Sequence, residues 1–220
     1  AQAASSMDFW KSLGQSILIA GIPTLCNVVS CSLIGYGLAR FEFPGKKVIL
    51  GIIIFSFVLP SQITMIPTYV LYSNMGILGT LWSFILPSIL GMGINGPIFI
   101  LIFYQFFKQV PKVLIEAAQI DGAGEWQIFR RICLPLCKGC ICSAAILVFI
   151  DYWNMVEQPL ILLSDAETHP LSVFLSKINS GEIGLAFAVA TIYMIPSLLV
   201  FLYGEEYLVD GITYQGGIKG

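Results

Sequence analysis

Few residues in this sequence could do chemistry, and most of them stand among apolar neighbours. Asp151, Asn154 and Gln158 recur at i, i+3, i+7 inside one long apolar run, with Glu157 adjacent. On a helix that spacing places the three on one face. A carboxylate at membrane depth costs several kcal/mol, about 3 on insertion scales, so this face must look inward or lie near an interface. Trp153 and Tyr152 sit in the same stretch, and Gln62 and Asn95 are isolated polar residues near breaks in other apolar runs. These groups suit hydrogen bonding rather than bond-making, and a structural or interfacial role accounts for them better than direct contact with a ligand. The cluster Cys137, Cys140 and Cys142 is poor in metal-ligating geometry. Positions 137 and 140 share a helical face, 142 points elsewhere, and no histidine is near, so plain packing is the better account. His169 is the only histidine and suits capping or solvating its loop. No G-x-x-x-x-G-K-[ST] occurs, so the chain does not hold ATP through a P-loop.

The elements that must position these residues follow from composition. Hydrophobic residues are 57% of the chain and charged ones 11%, whereas soluble domains carry about 25% charged residues. A water-soluble fold of this length could not hide so much apolar surface, so lipid must solvate much of it. The net charge of −2 argues against a nucleic-acid partner, which would ask for a basic stripe. Six cysteines (the three above with Cys26, Cys31 and Cys133) lie in or beside apolar runs and do not read as a disulfide framework.

Five stretches are long enough to cross ~30 Å of hydrocarbon as helices, at about 14–38, 48–72, 80–106, 138–162 and 184–204. Pro23, Pro60, Pro67, Pro87, Gly91, Gly93, Pro97 and Pro196 interrupt them, as is common in bundles around a pathway. Gly35, Gly37 and Ala39 permit close helix approach. The connections at 40–47 (Arg40, Lys46, Lys47) and 107–138 (Lys108, Lys112, Arg130, Arg131, Lys138) are basic. The connection at 73–79 is uncharged, and 163–183 carries Asp165, Glu167 and Glu182 against Lys177. Positive residues stay inside, so the basic connections are expected in the cytoplasm. Parity then puts the C-terminus inside and the first residue outside. That arrangement, with the polar lead-in AQAASSMDFWKS, creates the expectation of a further helix upstream; a signal-cleavage remnant is the weaker alternative, since no apolar h-region precedes it.

The inside connection at 107–138 carries structure of its own. Pro111 suits a helix start, Val113, Leu114, Ala117 and Ala118 form a short apolar stripe, and Glu116 suits the positive end of the helix dipole. Gly122 ends this helix, Asp121 is placed to cap the next, and a second short helix runs through Glu125–Ile132. Two small amphipathic helices on the membrane face, with an apolar stripe outside lipid and core, suggest a docking surface.

The stretch EAAQIDGAGEWQIFRRICLP (116–135) resembles the signature loop of permease subunits in binding-protein-dependent ABC importers. That pattern is E-A-A, three residues, Gly, nine residues, Ile, one residue, Leu-Pro. Glu116-Ala117-Ala118, Gly122, Ile132 and Leu134-Pro135 meet it at every spacing. Further segments resemble the sugar-importing, maltose-permease branch: Tyr36–Phe41 before Phe43-Pro44-Gly45, Leu59-Pro60 with Thr64–Pro67, Trp153-Asn154 with Pro159-Leu160, and Gly211–Thr213 with Gly216–Gly220. The branch's usual Trp-Asn-Asp is Trp153-Asn154-Met155 here, which puts a carboxylate role at 155 in doubt.

The resemblance implies an all-α, polytopic helix bundle of the type I ABC importer permease kind, a single domain over 1–220 in the prokaryotic inner membrane. Five spans are visible where the family has six, consistent with an absent N-terminal helix. It implies a non-catalytic transport subunit with no cofactor of its own, ATP and magnesium belonging to a partner ATPase. Expected partners are a dimer of ABC ATP-binding subunits, a second permease subunit (identical or not), an extracytoplasmic solute-binding protein and the bilayer. Residues 113–125 would dock the ATPase, with Glu116 and Asp121 anchoring, Ala117 and Ala118 allowing close approach, Gly122 turning the chain, and Ala123 within the same contact. Gly216, Gly217 and Lys219 would either reach the ATPase interface or form a frayed end. Gln62, Asn95, Asp151, Trp153, Asn154 and Gln158 are the candidates for the translocation pathway. Trp153 and Tyr152 could stack on a sugar or anchor their span. The solute expected is a sugar or relative, such as an oligosaccharide or glycerol phosphate. A secondary transporter or channel driven by an ion gradient is the alternative.

Overall fold

The computed structural model describes residues 9–165, 168–177 and 183–213, and all regular structure among them is helical. Helix α1 (Phe9–Arg40) and the last helix, α11 (Ile183–Thr213), have 32 and 31 residues. At ~1.5 Å per residue each exceeds the ~30 Å hydrocarbon layer. Between them lie α2 (Lys46–Val58), α3 (Ser61–Met75), α4 (Trp82–Ile89), α5 (Gly96–Gln109) and α6 (Lys112–Ile120). Then come α7 (Glu125–Ile128, continued by a π turn at Phe129–Cys133 and by Leu134–Leu136), α8 (Lys138–Trp153), α9 (Glu157–Leu162) and α10 (Leu171–Ser176). This is a polytopic all-α membrane helix bundle.

Three of the five stretches expected as crossings, each carrying Pro or Gly interruptions or ending near one, are broken helices. The one at 48–72 bends by 103° between α2 and α3. Pro60 has no N–H to donate and holds Leu59 extended at φ −68°, ψ 123°. The stretch at 80–106 is interrupted at 90–95, where Gly91 takes φ +72° and Asn95 φ +52°. Gly91 closes α4 with two reversed bonds, its N–H to Ser88 O and the Met92 N–H to Pro87 O. The third, at 138–162, breaks at 154–156, between α8 and α9.

Helix α1 runs through the middle of the bundle, packing chiefly on α5, α8 and α4. Its buried side includes Ile19, Ala20, Val28 and Cys31, facing Phe84, Phe99, Phe103, Phe107 and Val148. Backbone groups freed by the 90–95 break have no water available at membrane depth and must find protein partners. Asn27 Nδ2 of α1 donates to Ile94 O at 3.2 Å, and Ile94 N–H donates to Tyr152 Oη of α8 at 3.0 Å. Ser88 Oγ lies 2.7 Å from the same phenol. By contrast α2 and α3 turn Val48, Ile52, Phe55, Val58, Ile63 and Ile66 outward, an apolar surface suited to lipid or another membrane chain. All six cysteines are free thiols.

Candidate functional site

The connection between α5 and α8 forms a separate ledge. Helix α6 leaves α5 at 71°, and the stretch Glu125–Leu136 meets α8 at 78°. Ile115, 1% exposed, pins α6 to the core, while Ala118 and Ala123 pack against it from the side. On the opposite side Val113 is 73% exposed, Ile120 86% and Trp126 62%, with Leu114 and Ala117 also exposed. The outward stripe is therefore Val113, Leu114, Ala117 and Ile120. Ala118, expected beside Ala117, turns inward, because the two adjacent positions lie ~100° apart on a helix.

Gly122 ends α6 at φ +80°. Its N–H returns to Gln119 O at 3.0 Å and the Ala123 N–H to Ala118 O at 2.9 Å. That left-handed turn satisfies the last carbonyls and favours glycine. Asp121 closes α6 as its C-cap and does not cap the next helix as expected. The start of α7 is Gly124, whose N–H is met by Gln127 Oε1 at 3.3 Å. Glu116 is exposed and lines a cleft of about 280 Å³ with Arg40, Glu42, Lys112, Ile115 and Gln119. Its mixed charges, two basic and two acidic side chains, suit ion pairing better than a free anion. Across the α1–α2 corner the Lys46 ammonium, 2.8 Å away, holds the Glu42 carboxyl below the usual carboxylate range.

The candidates within the bundle divide. Asn95 Nδ2 donates to Asp151 Oδ2 at 2.7 Å, so two residues 56 positions apart form one polar pair. Asn95 is exposed and Asp151 half-buried. Asn154 is exposed and lies beside Tyr193, whose hydroxyl is 2.9 Å from its Oδ1. The single face expected for Asp151, Asn154 and Gln158 does not exist, because α8 ends at Trp153 and Gln158 belongs to α9. Trp153, 2% exposed, stacks between Phe149 and Tyr193 and donates its indole N–H to Tyr193 O at 3.2 Å. Its faces are taken by protein, and none is left for a solute ring. Gln62 stands exposed in the first turn of α3. His169 is buried, with Nε2 3.1 Å from Leu163 O and Nδ1 3.3 Å from Lys177 Nζ, so it braces its loop. Gly216, Gly217 and Lys219 lie outside the described residues.

Sequence inspection missed Ile115 as the anchor of the ledge and missed the polar group beneath it. Tyr36 Oη donates to Glu125 Oε2 at 2.9 Å, and Gln119 Nε2 donates to Glu125 Oε1 at 3.2 Å. Ile115 was legible as the position opposite the Val113/Ala117 stripe; nothing in the spacing pairs Tyr36 with Glu125.

Residues 32–213 match the family model described as binding-protein-dependent transport system inner membrane component. The chain is similar to the arabinooligosaccharides transport system permease protein AraQ of Halalkalibacterium halodurans. Identity is 30% over 217 residues, covering 96% of this chain and 75% of the relative. It is 31% identical to Protein LplC of Bacillus subtilis, covering 98% and 76% of the two chains. It is 30% identical to the lactose transport system permease protein LacG of Rhizobium radiobacter, covering 100% and 77%. The fold resembles a chain in the crystal structure of a bacterial ABC transporter involved in the import of the acidic polysaccharide alginate. There the TM-score is 0.80 at 22% identity, over 94% of this chain and 78% of that one.

Proposed function

The chain belongs to the family of binding-protein-dependent transport system inner membrane components, and from that premise we propose that it forms half of a sugar pathway driven through α6. It is a permease subunit of an ABC importer, a multi-pass inner-membrane protein and not itself an enzyme. Membership implies an ATPase and a solute-binding protein as partners. The finer assignment is that α6 and the following turn, residues 113–125, seat in the ATPase, and that a second permease subunit completes the pathway.

The observation that carries this is the outward stripe of α6. Val113, Leu114, Ala117 and Ile120 present apolar surface beyond the bundle, on a helix fixed from behind by Ile115. A stripe of this kind on a nine-residue helix suits a groove in a partner. Glu116 and Asp121 flank it with charge. Within the bundle, the Asn95–Asp151 pair supports a place on the pathway, because a half-buried carboxylate with an exposed amide partner tolerates a polar channel or a partner better than lipid. Relatives named for arabinooligosaccharides and lactose favour a sugar as the solute.

In mechanism, closure of two ATPases around ATP moves the seated helices together, and each permease subunit tilts as a body from inward- to outward-facing. A ligand shifts such an equilibrium only by its differential affinity for the two states. The test is uptake of radiolabelled arabino-oligosaccharide and lactose by the whole complex in proteoliposomes. ATP-dependent uptake is expected, with Glu116→Lys and Gly122→Pro each reducing it by about tenfold or more. Retention of uptake in both variants would refute docking through α6. Uptake that follows an ion gradient without ATPase would instead indicate a secondary transporter.

A further inference from the structure

We propose that Glu125 and Tyr36 are positioning residues that brace the ATPase-docking helix α6 to the cytoplasmic end of α1, so that α1 moves with it; this rests on the docking role proposed for α6. Glu125 spends both carboxylate oxygens on different elements. Oε2 accepts from Tyr36 of α1 at 2.9 Å and Oε1 from Gln119 of α6 at 3.2 Å. Charge-assisted bonds of this kind are about twice as strong as neutral ones.

The ledge needs such a brace. Helix α6 has nine residues, and a helix that short is marginal without tertiary contacts. Its inward contacts are centred on Ile115 and Ala118. It joins its neighbours at the 71° corner with α5 and across the turn at Gly122, so no continuous helical backbone ties it to the helix on either side. The Tyr36 end, by contrast, is firm. Tyr36 is 6% exposed, and its ring sits among Phe41, Phe107 and Phe129 at centroid distances of 6.4, 5.6 and 4.8 Å. Arg40, one turn further along α1, lies beside the same hydroxyl. Above this point α1 packs along α5, α8 and α4. A displacement of α6 therefore reaches the central helix directly through Glu125, in addition to travelling through α5 and α8.

The brace makes two distinct demands on experiment. In the purified chain, amide exchange over residues 119–128 is expected to quicken about tenfold in Tyr36→Phe and Glu125→Ala. Glu125→Gln can still accept from Tyr36 and bond to a turned Gln119 amide, so it should stay within about twofold of the parent. In the whole complex, the ATP hydrolysed per radiolabelled arabino-oligosaccharide moved should rise about fivefold in Tyr36→Phe and Glu125→Ala, and Glu125→Gln should restore it. A purely structural role would lower assembled complex without changing that ratio. Unchanged exchange in Glu125→Ala, or a parental ratio in it and in Tyr36→Phe, overturns the brace. Failure of the parent complex to use ATP at all refutes the importer role instead, and the exchange measurement, which needs no partner, separates the two failures.

Discussion

A methyl group added at Gly35 would stand 2.6 Å from Phe103 Cβ and 2.9 Å from the Tyr104 backbone nitrogen of α5. Neither atom can swing aside, so Gly35→Ala must part α1 from α5. A loss of about 1–3 kcal/mol is expected, read as a lowered midpoint in detergent unfolding. Gly37, two residues on, has nothing within 4 Å of the same methyl. There the helix preference for alanine acts alone, and Gly37→Ala should gain up to ~1 kcal/mol. Opposite signs at these two positions are the check; equal losses would mean that α1 and α5 are not in this contact. Both glycines read alike in the sequence as small residues permitting close approach. Only the partner helix distinguishes them, since a glycine's neighbours across an interface leave no mark in local spacing. Trp153 makes the same point from the other side: its type and setting allowed either a stacking platform or an anchor for its span, and the buried ring stacks on Phe149 and Tyr193 instead of standing free for a solute.

At the scale of the element, α6 illustrates what a helical pattern can and cannot convey. Its start after Pro111 and its end at Gly122 agree with the expectation from residue types, because proline and left-handed glycine act locally. Ile115 was readable as the position opposite Val113 and Ala117, whereas Ala118, expected in the outward stripe, packs against the core. Ile120→Glu alters an 86% exposed side chain and should change stability by less than about 0.5 kcal/mol. On a docking surface it should weaken association with the ATPase by about tenfold or more, measured by co-purification across a concentration series. Unimpaired association would show that the stripe does not meet the ATPase. The broken elements follow similar logic. Proline predicted trouble at 60, but the 90–95 break is tolerable only because Asn27 and Tyr152 answer its freed backbone groups.

Across the whole molecule, the distribution of Lys and Arg implies an orientation that can be checked directly. With Cys26 and Cys142 replaced by serine, a cysteine at Asp121 should react with an impermeant maleimide only in inside-out vesicles. A cysteine at Asp165 should react only in right-side-out ones, and the reverse pattern would invert the topology. The four remaining native cysteines are buried and should stay unlabelled in either preparation. The sequence alone determined that this chain lives in lipid, set the expectation for how its basic connections sort, and carried the resemblance of residues 116–135 to a signature loop. Those properties are sums or short spacings, carried by hydropathy, charge and turn-forming residues within reach of one another. Tertiary structure alone decided that Asn95 meets Asp151, that Asp151 and Gln158 part company, and that Glu125 ties the loop to Tyr36. Each depends on helices far apart in the chain coming together, and a packing partner at long range is a property of the folded bundle.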